Sequence, residues 1–196
     1  MLIDIVSYAA FVLLLGTSLV LLLSQNWRWS IIALALQFLG VFGLVLLSWP
    51  VGLAVVKLVT GWMAGALIGA SQPAEELEDA TFRNIQGTVF RLAVSLVGLI
   101  LVIAAAQGLA GWIPAGRPIL LGGLVLIING LLQLGMTTRP LRVILGLFTV
   151  LSGFEILYAV VEQSVLVAGL LSVITLGLAI LCAYLMAAPE MEEAEQ

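Results

Sequence analysis

Two ionisable side chains sit where this apolar chain has least room for them. Glu155 lies inside the run LRVILGLFTVLSGFEILYAVV, and Lys57 inside VGLAVVKLVTGWMAGALIGA. A carboxylate near the middle of a membrane helix is costly, about 2.5–3.5 kcal/mol for the comparable Asp on insertion scales, so Glu155 should face protein or water and not lipid. Each of the two lies about seven residues from the outer end of its run, roughly 10 Å below that surface at 1.5 Å per residue. Opposite charges at matching depth invite pairing, which offsets the desolvation either would suffer alone. The chemistry open to such a pair is proton exchange, because a buried carboxyl or amine is readily neutralised. The competing account of Lys57 is snorkelling, its four-carbon stem carrying the ammonium to the outer headgroups. Gly61, Gly65 and Gly69, four apart on the stripe that begins at Lys57, mark a close helix approach and argue for a lysine that faces protein.

Amides form a second set. Asn129 and Gln133 share a helical face with Gly122, Leu126, Gly130 and Thr137, and Gln37 lies a turn from Gly40. Such groups hydrogen-bond across helices, which is the favoured account; lining a polar path is the other. The stripe Ala168, Ser172, Thr175, Ala179 and Cys182 points to close packing.

The surroundings of these residues are a membrane. Of 196 residues 63% are hydrophobic and 9% charged, and the mean hydropathy is +1.25, far outside the soluble globular range. Histidine is absent, which removes the usual haem ligand and the commonest transition-metal ligand, so no cofactor is expected. The single Cys182 excludes an internal disulfide. Nothing in the charge pattern suggests nucleic acid. The first apolar run lacks a basic leader and a cleavage signal, and is expected to be a retained helix.

About seven runs are long enough to cross the roughly 30 Å hydrocarbon core. The expected helices are Leu2–Ser24, Ser30–Trp49, Val51–Ala70, Val89–Gln107, Ile119–Thr137, Leu141–Val161 and Ser164–Met186. The class is therefore all-α, a polytopic membrane bundle. Residues 1–70 carry the first three helices and 89–186 the last four. Between them, 71–88 form a polar linker in which Ser71 and Pro73 can open a short interfacial helix. The acidic tail, 187–196, is too polar and short to fold alone and is expected to be disordered.

Arg28, Arg83, Arg91, Arg139 and Arg142 fall at one side of such a bundle and only Arg117 at the other. The positive-inside bias then places the N-terminus outside and the C-terminus in the cytoplasm, in a multi-pass protein of the inner (cytoplasmic) membrane. This topology makes helices 1–3 and 5–7 two units running in the same direction, each with an arginine-bearing loop after its first helix and with helix 4 as connector. Parallel repeats of this kind are common in transport folds.

The segments NWRWSIIALALQFLGVF, VVKLVTGWM and TRPLRVILGLFTVLSGFEILYAVV give the chain a familiar plan. It resembles the hydrogenase-4 component E membrane subunits, and helices 5–7 resemble the related three-helix K (4L-type) subunit of complex I. Arg28 and Gln37 match the family's arginine and the glutamine of the helix that follows, Lys57 its membrane lysine, and Arg139, Gly146 and Gly153 its basic loop and helix glycines. The family's membrane glutamate would fall at Leu151, whereas this chain offers Glu155 one turn, about 6 Å, outward on the same face. Either the carboxylate has moved by a turn or the relay is lost. The resemblance implies a non-redox subunit of a complex I-like or hydrogenase-like assembly, partnered by antiporter-like membrane subunits and by the bilayer. Glu155 would carry the proton, Lys57 would bias it, and Asn129, Gln133 and Gln37 would orient the path. The alternatives are a scaffold whose polar residues only fasten helices, and a small independent transporter. The last is disfavoured because no discontinuous helix or substrate-sized polar cluster appears.

Overall fold

A computed structural model describes residues 2–24, 26–72 and 85–194. Among them are seven α-helices and no strand: α1 (Leu2–Leu23), α2 (Trp27–Val45), α3 (Val51–Ala70), α4 (Ile85–Leu109), α5 (Arg117–Gly135), α6 (Pro140–Val161) and α7 (Val165–Ala194). All seven are long and apolar enough to span a membrane. The linker expected at 71–88, with its interfacial helix and Arg83, lies largely outside the described residues.

Local chemistry sets the ends. The Asn26 side chain accepts from the Arg28 backbone N–H at 3.0 Å and caps α2, so the helix starts at Trp27, earlier than the expected Ser30. The helix also stops earlier, at Val45, and a tight turn follows in which Leu47 and Ser48 donate to the carbonyls of Leu44 and Val45. Pro50 disfavours helical geometry at Trp49 and accounts for that turn. Pro118 and Pro140 occupy the first turns of α5 and α6, where a missing N–H is harmless. α7 continues through Ala194, so residues 187–194 extend the helix where the sequence suggests a disordered tail. Alanine, glutamate and methionine are good helix formers, and extending an existing helix avoids the cost of nucleation.

The helices form two rows, α1–α2–α3 and α5–α6–α7, laid face to face in the same order, so that α1 packs on α5, α2 on α6 and α3 on α7. α4 lies against α5 and α1 at one edge. Paired helices run parallel: Gln37 meets Thr149 and Trp49 meets Glu162 across α2 and α6, while Leu14 lies near Gly122 and Ser18 near Asn129 across α1 and α5. The two units that the topology suggests are thus set side by side with corresponding levels in contact.

Glycines bring α5 and α6 together. A Cβ on Gly153 would lie 2.6 Å from the Gly123 carbonyl oxygen, and one on Gly130 would lie 2.9 Å from that of Gly146. The two backbones therefore touch directly, the arrangement that small residues permit when lipid supplies no hydrophobic drive for association. Gly61 does the same for α2 and α3 by making room for the Phe38 ring, which packs edge-on against Phe148 at 6.4 Å.

Two apolar clusters fill the interior. One includes Leu14, Leu44, Trp49, Ala54, Ile156 and Ala168. The other, toward the arginine-bearing end, includes Leu21, Leu34, Phe38, Ala64, Phe148 and Ala179. Between the members of the two clusters lie the buried polar residues Thr17 and Ser18 on α1, Lys57 and Thr60 on α3, Thr149, Ser152 and Glu155 on α6, and Ser172 and Thr175 on α7. A polar layer thus crosses the middle of the bundle.

Candidate functional site: a buried lysine–glutamate pair

Within that layer Lys57 Nζ donates to Glu155 Oε1 at 2.5 Å. The residues are 4% and 3% exposed, so neither faces lipid and Lys57 does not snorkel to the surface. Helix geometry explains the meeting. α3 presents Lys57, Gly61 and Gly65 on its buried face, and Gly61 leaves room there for the Phe38 ring of α2. α6 presents Thr149, Ser152 and Glu155 at three-residue steps, all buried. Leu151, one turn before Glu155 on α6, is only half-buried.

A charge pair taken this far from water is held by mutual attraction and a short charge-assisted hydrogen bond. Removing one partner leaves an uncompensated charge, at a cost of about 3–5 kcal/mol. A hydrogen-bonded pair of this kind has two forms that are neutral overall: ammonium with carboxylate, and amine with carboxylic acid. A second proton arriving at Glu155 breaks the pair and leaves Lys57 positive, which repels the added proton onward. That is the elementary cycle of a relay, and it needs no metal. Among the described residues no group of His, Cys, Asp and Glu side chains could hold one.

Gln37 lies closest in character to the pair. It is fully buried, and its Nε2 donates to Thr149 Oγ1 at 3.3 Å, while Thr149 donates to the Leu145 carbonyl at 2.8 Å. Among the described residues its Oε1 has no hydrogen-bond partner. An unsatisfied buried acceptor costs about 1–3 kcal/mol, and bound water commonly removes that penalty. Thr149, Ser152 and Glu155 then form a polar file about 9 Å long on α6, with Gln37 at its inner end.

The other two amides are elsewhere. Asn129 accepts from Ser95 Oγ and donates to Ser18 Oγ, each at 2.9 Å, tying α5 to α4 and α1. Gln133 donates to the Arg142 carbonyl at 3.1 Å across the α5–α6 junction. Both fasten helices and neither bonds to the ion pair. Sequence reasoning did not single out Ser18, Ser95, Thr149 or Ser152. The regular spacing of 149, 152 and 155 is visible in the chain, but serines and threonines in membrane helices usually bond their own backbone, as Thr17 and Ser172 do here, and carry little signal alone. The chain matches no protein-family model, and no curated protein or solved structure matches it.

Proposed function

We propose that this protein is a membrane subunit of a complex I-like or hydrogenase-like assembly in the inner (cytoplasmic) membrane, in which Glu155 takes and releases a proton and Lys57 governs it electrostatically. The carrying observation is a hydrogen-bonded, lipid-shielded pair of opposite charges between two apolar clusters. Ionisable residues inside membranes mark ion and proton pathways. The resemblance to hydrogenase-4 component E supports the choice of assembly, with Arg28, Gln37, Lys57, Gly146 and Gly153 as the matching positions. Their environments suit it: Lys57 is paired, Gln37 adjoins the polar file, and the two glycines seat α6 on α5. The arginine-bearing end of the bundle faces the cytoplasm under the positive-inside rule, and antiporter-like subunits cover part of its apolar surface.

A second reading, a scaffold without its own proton path, is favoured by the hydrogen bonds of Asn129 and Gln133, which serve helix contact alone. Glu155→Gln in the assembled complex separates the two. The relay requires proton translocation to fall by about a hundredfold or more, the scale expected for loss of a proton-transferring group, with the complex still assembled. Unchanged translocation with normal assembly would end the relay and leave the scaffold.

A further inference from the structure

A groove on the opposite flank of the bundle from α3 has its own chemistry. Between α1, α4 and α5 an apolar slot of about 190 Å³ opens, lined by Leu15, Leu19, Leu96, Leu99 and Ile128 among others. Its capacity exceeds the roughly 150 Å³ that accepts benzene in an engineered apolar cavity. A chain of methylene groups fits it.

A cationic corner lies beyond one end of the slot, one helical turn further along α1 and α5. Leu22, next along the α1 face from Leu15 and Leu19, lies there with Arg91, Gln133, Thr137 and Arg142. Arg91 donates to the Leu22 carbonyl at 3.5 Å, Arg142 donates to the Ser24 carbonyl, and Arg142 feels the positive charges of both Arg91 and Arg139. Arg91 and Arg142 are partly buried and Arg139 is exposed. Among the described residues no carboxylate pairs with any of the three. Three like charges gathered at a membrane interface attract an anion, and guanidinium forks match phosphate oxygens. From Arg91 to Val102, which lines the far end of the slot, is eleven residues of α4, or about 16 Å. One leaflet of hydrocarbon is about 15 Å thick.

We infer that this corner is a binding site for an anionic phospholipid, its phosphate held by Arg91, Arg139 and Arg142 and one acyl chain lying in the slot between α1, α4 and α5. Basic pockets between membrane helices recognise anionic headgroups by the same physics. The lipid joins α4, which has few contacts of its own, to the rest of the bundle.

The test uses the full chain purified in detergent and stripped of lipid. Binding is followed by native mass spectrometry and thermal unfolding with phosphatidylglycerol, with phosphatidylcholine of the same chains, and with inorganic phosphate. The expected result is retention of phosphatidylglycerol at least tenfold over phosphatidylcholine, thermal protection by phosphatidylglycerol alone, and no protection by phosphate. Arg91→Gln with Arg139→Gln should remove the preference, and Leu99→Trp, which fills the slot, should weaken retention of both lipids. The two variants act at opposite ends of the site, so if one does not fold the other decides. Equal retention of the two lipids by the native chain would overturn the site. So would protection by phosphate equal to that by phosphatidylglycerol, or retention unchanged in a folded variant.

Discussion

At the scale of single residues the protein is organised by a contact that neither partner could sustain alone. Lys57 and Glu155 meet at 2.5 Å in a nearly water-free interior. Removing one partner strands the other, whereas replacing both with apolar residues of similar volume is often neutral or stabilising. The double variant Lys57→Met with Glu155→Leu should therefore assemble and resist unfolding at least as well as the native chain. Glu155→Leu alone should lose about 3–5 kcal/mol. Detergent unfolding of the three proteins measures this, and a double variant as unstable as the single would show that the two side chains do not act as a unit. Proton translocation should be absent in the double variant despite its stability, a result that a scaffold role does not require. Both members of the pair were legible in the sequence, because charge is rare in so apolar a chain and the two depths match. Their neighbours Thr149 and Ser152 were not, since a hydroxyl satisfied by its own helix leaves no mark on hydropathy.

At the scale of elements the close approach of α5 and α6 decides where Glu155 points. Gly123, Gly130, Gly146 and Gly153 let the two backbones touch, and α6 is then set with Thr149, Ser152 and Glu155 turned inward. A methyl group on Gly153 would meet the Gly123 carbonyl oxygen at 2.6 Å, whereas one on Gly177 meets nothing within 4 Å. Gly153→Ala should destabilise the protein by about 1–3 kcal/mol and lower translocation with it, because displacing α6 lengthens the Lys57–Glu155 contact. Gly177→Ala should be neutral or stabilising by up to about 1 kcal/mol, the helix-propensity difference. Similar effects from the two substitutions in thermal unfolding would refute the close-packing account. Helix number and type could be read from hydropathy alone, but helix ends depended on the Asn26 cap and on Pro50, and α2 consequently starts and stops earlier than its apolar run suggests. The amides of α5 were visible as a polar face. Which helices they join depends on Ser18 and Ser95, more than thirty residues away in the chain, and a pattern along one helix does not contain that partner choice.

At the scale of the whole molecule, two rows of three helices lie in matching order with α4 at their edge, and the polar layer runs between two apolar clusters. The layering gives the pair its proposed use. Apolar side chains enclose the pair on both sides, so under the proposed relay a proton entering or leaving Glu155 would move along the hydroxyls of the layer, with Gln37 Oε1 at its edge. Two units running in one direction were apparent from loop arginines and helix count. Their face-to-face register was not, because contacts between rows join residues more than a hundred positions apart. The claim that unites these scales is that Glu155 changes its protonation as the assembled complex turns over. Infrared difference spectroscopy of membranes in turnover, comparing native protein with Glu155→Gln, observes the carboxyl directly. The account predicts a protonated-carboxyl band that appears and disappears with turnover in the native protein and is missing from the variant. A band of equal amplitude in both would contradict it.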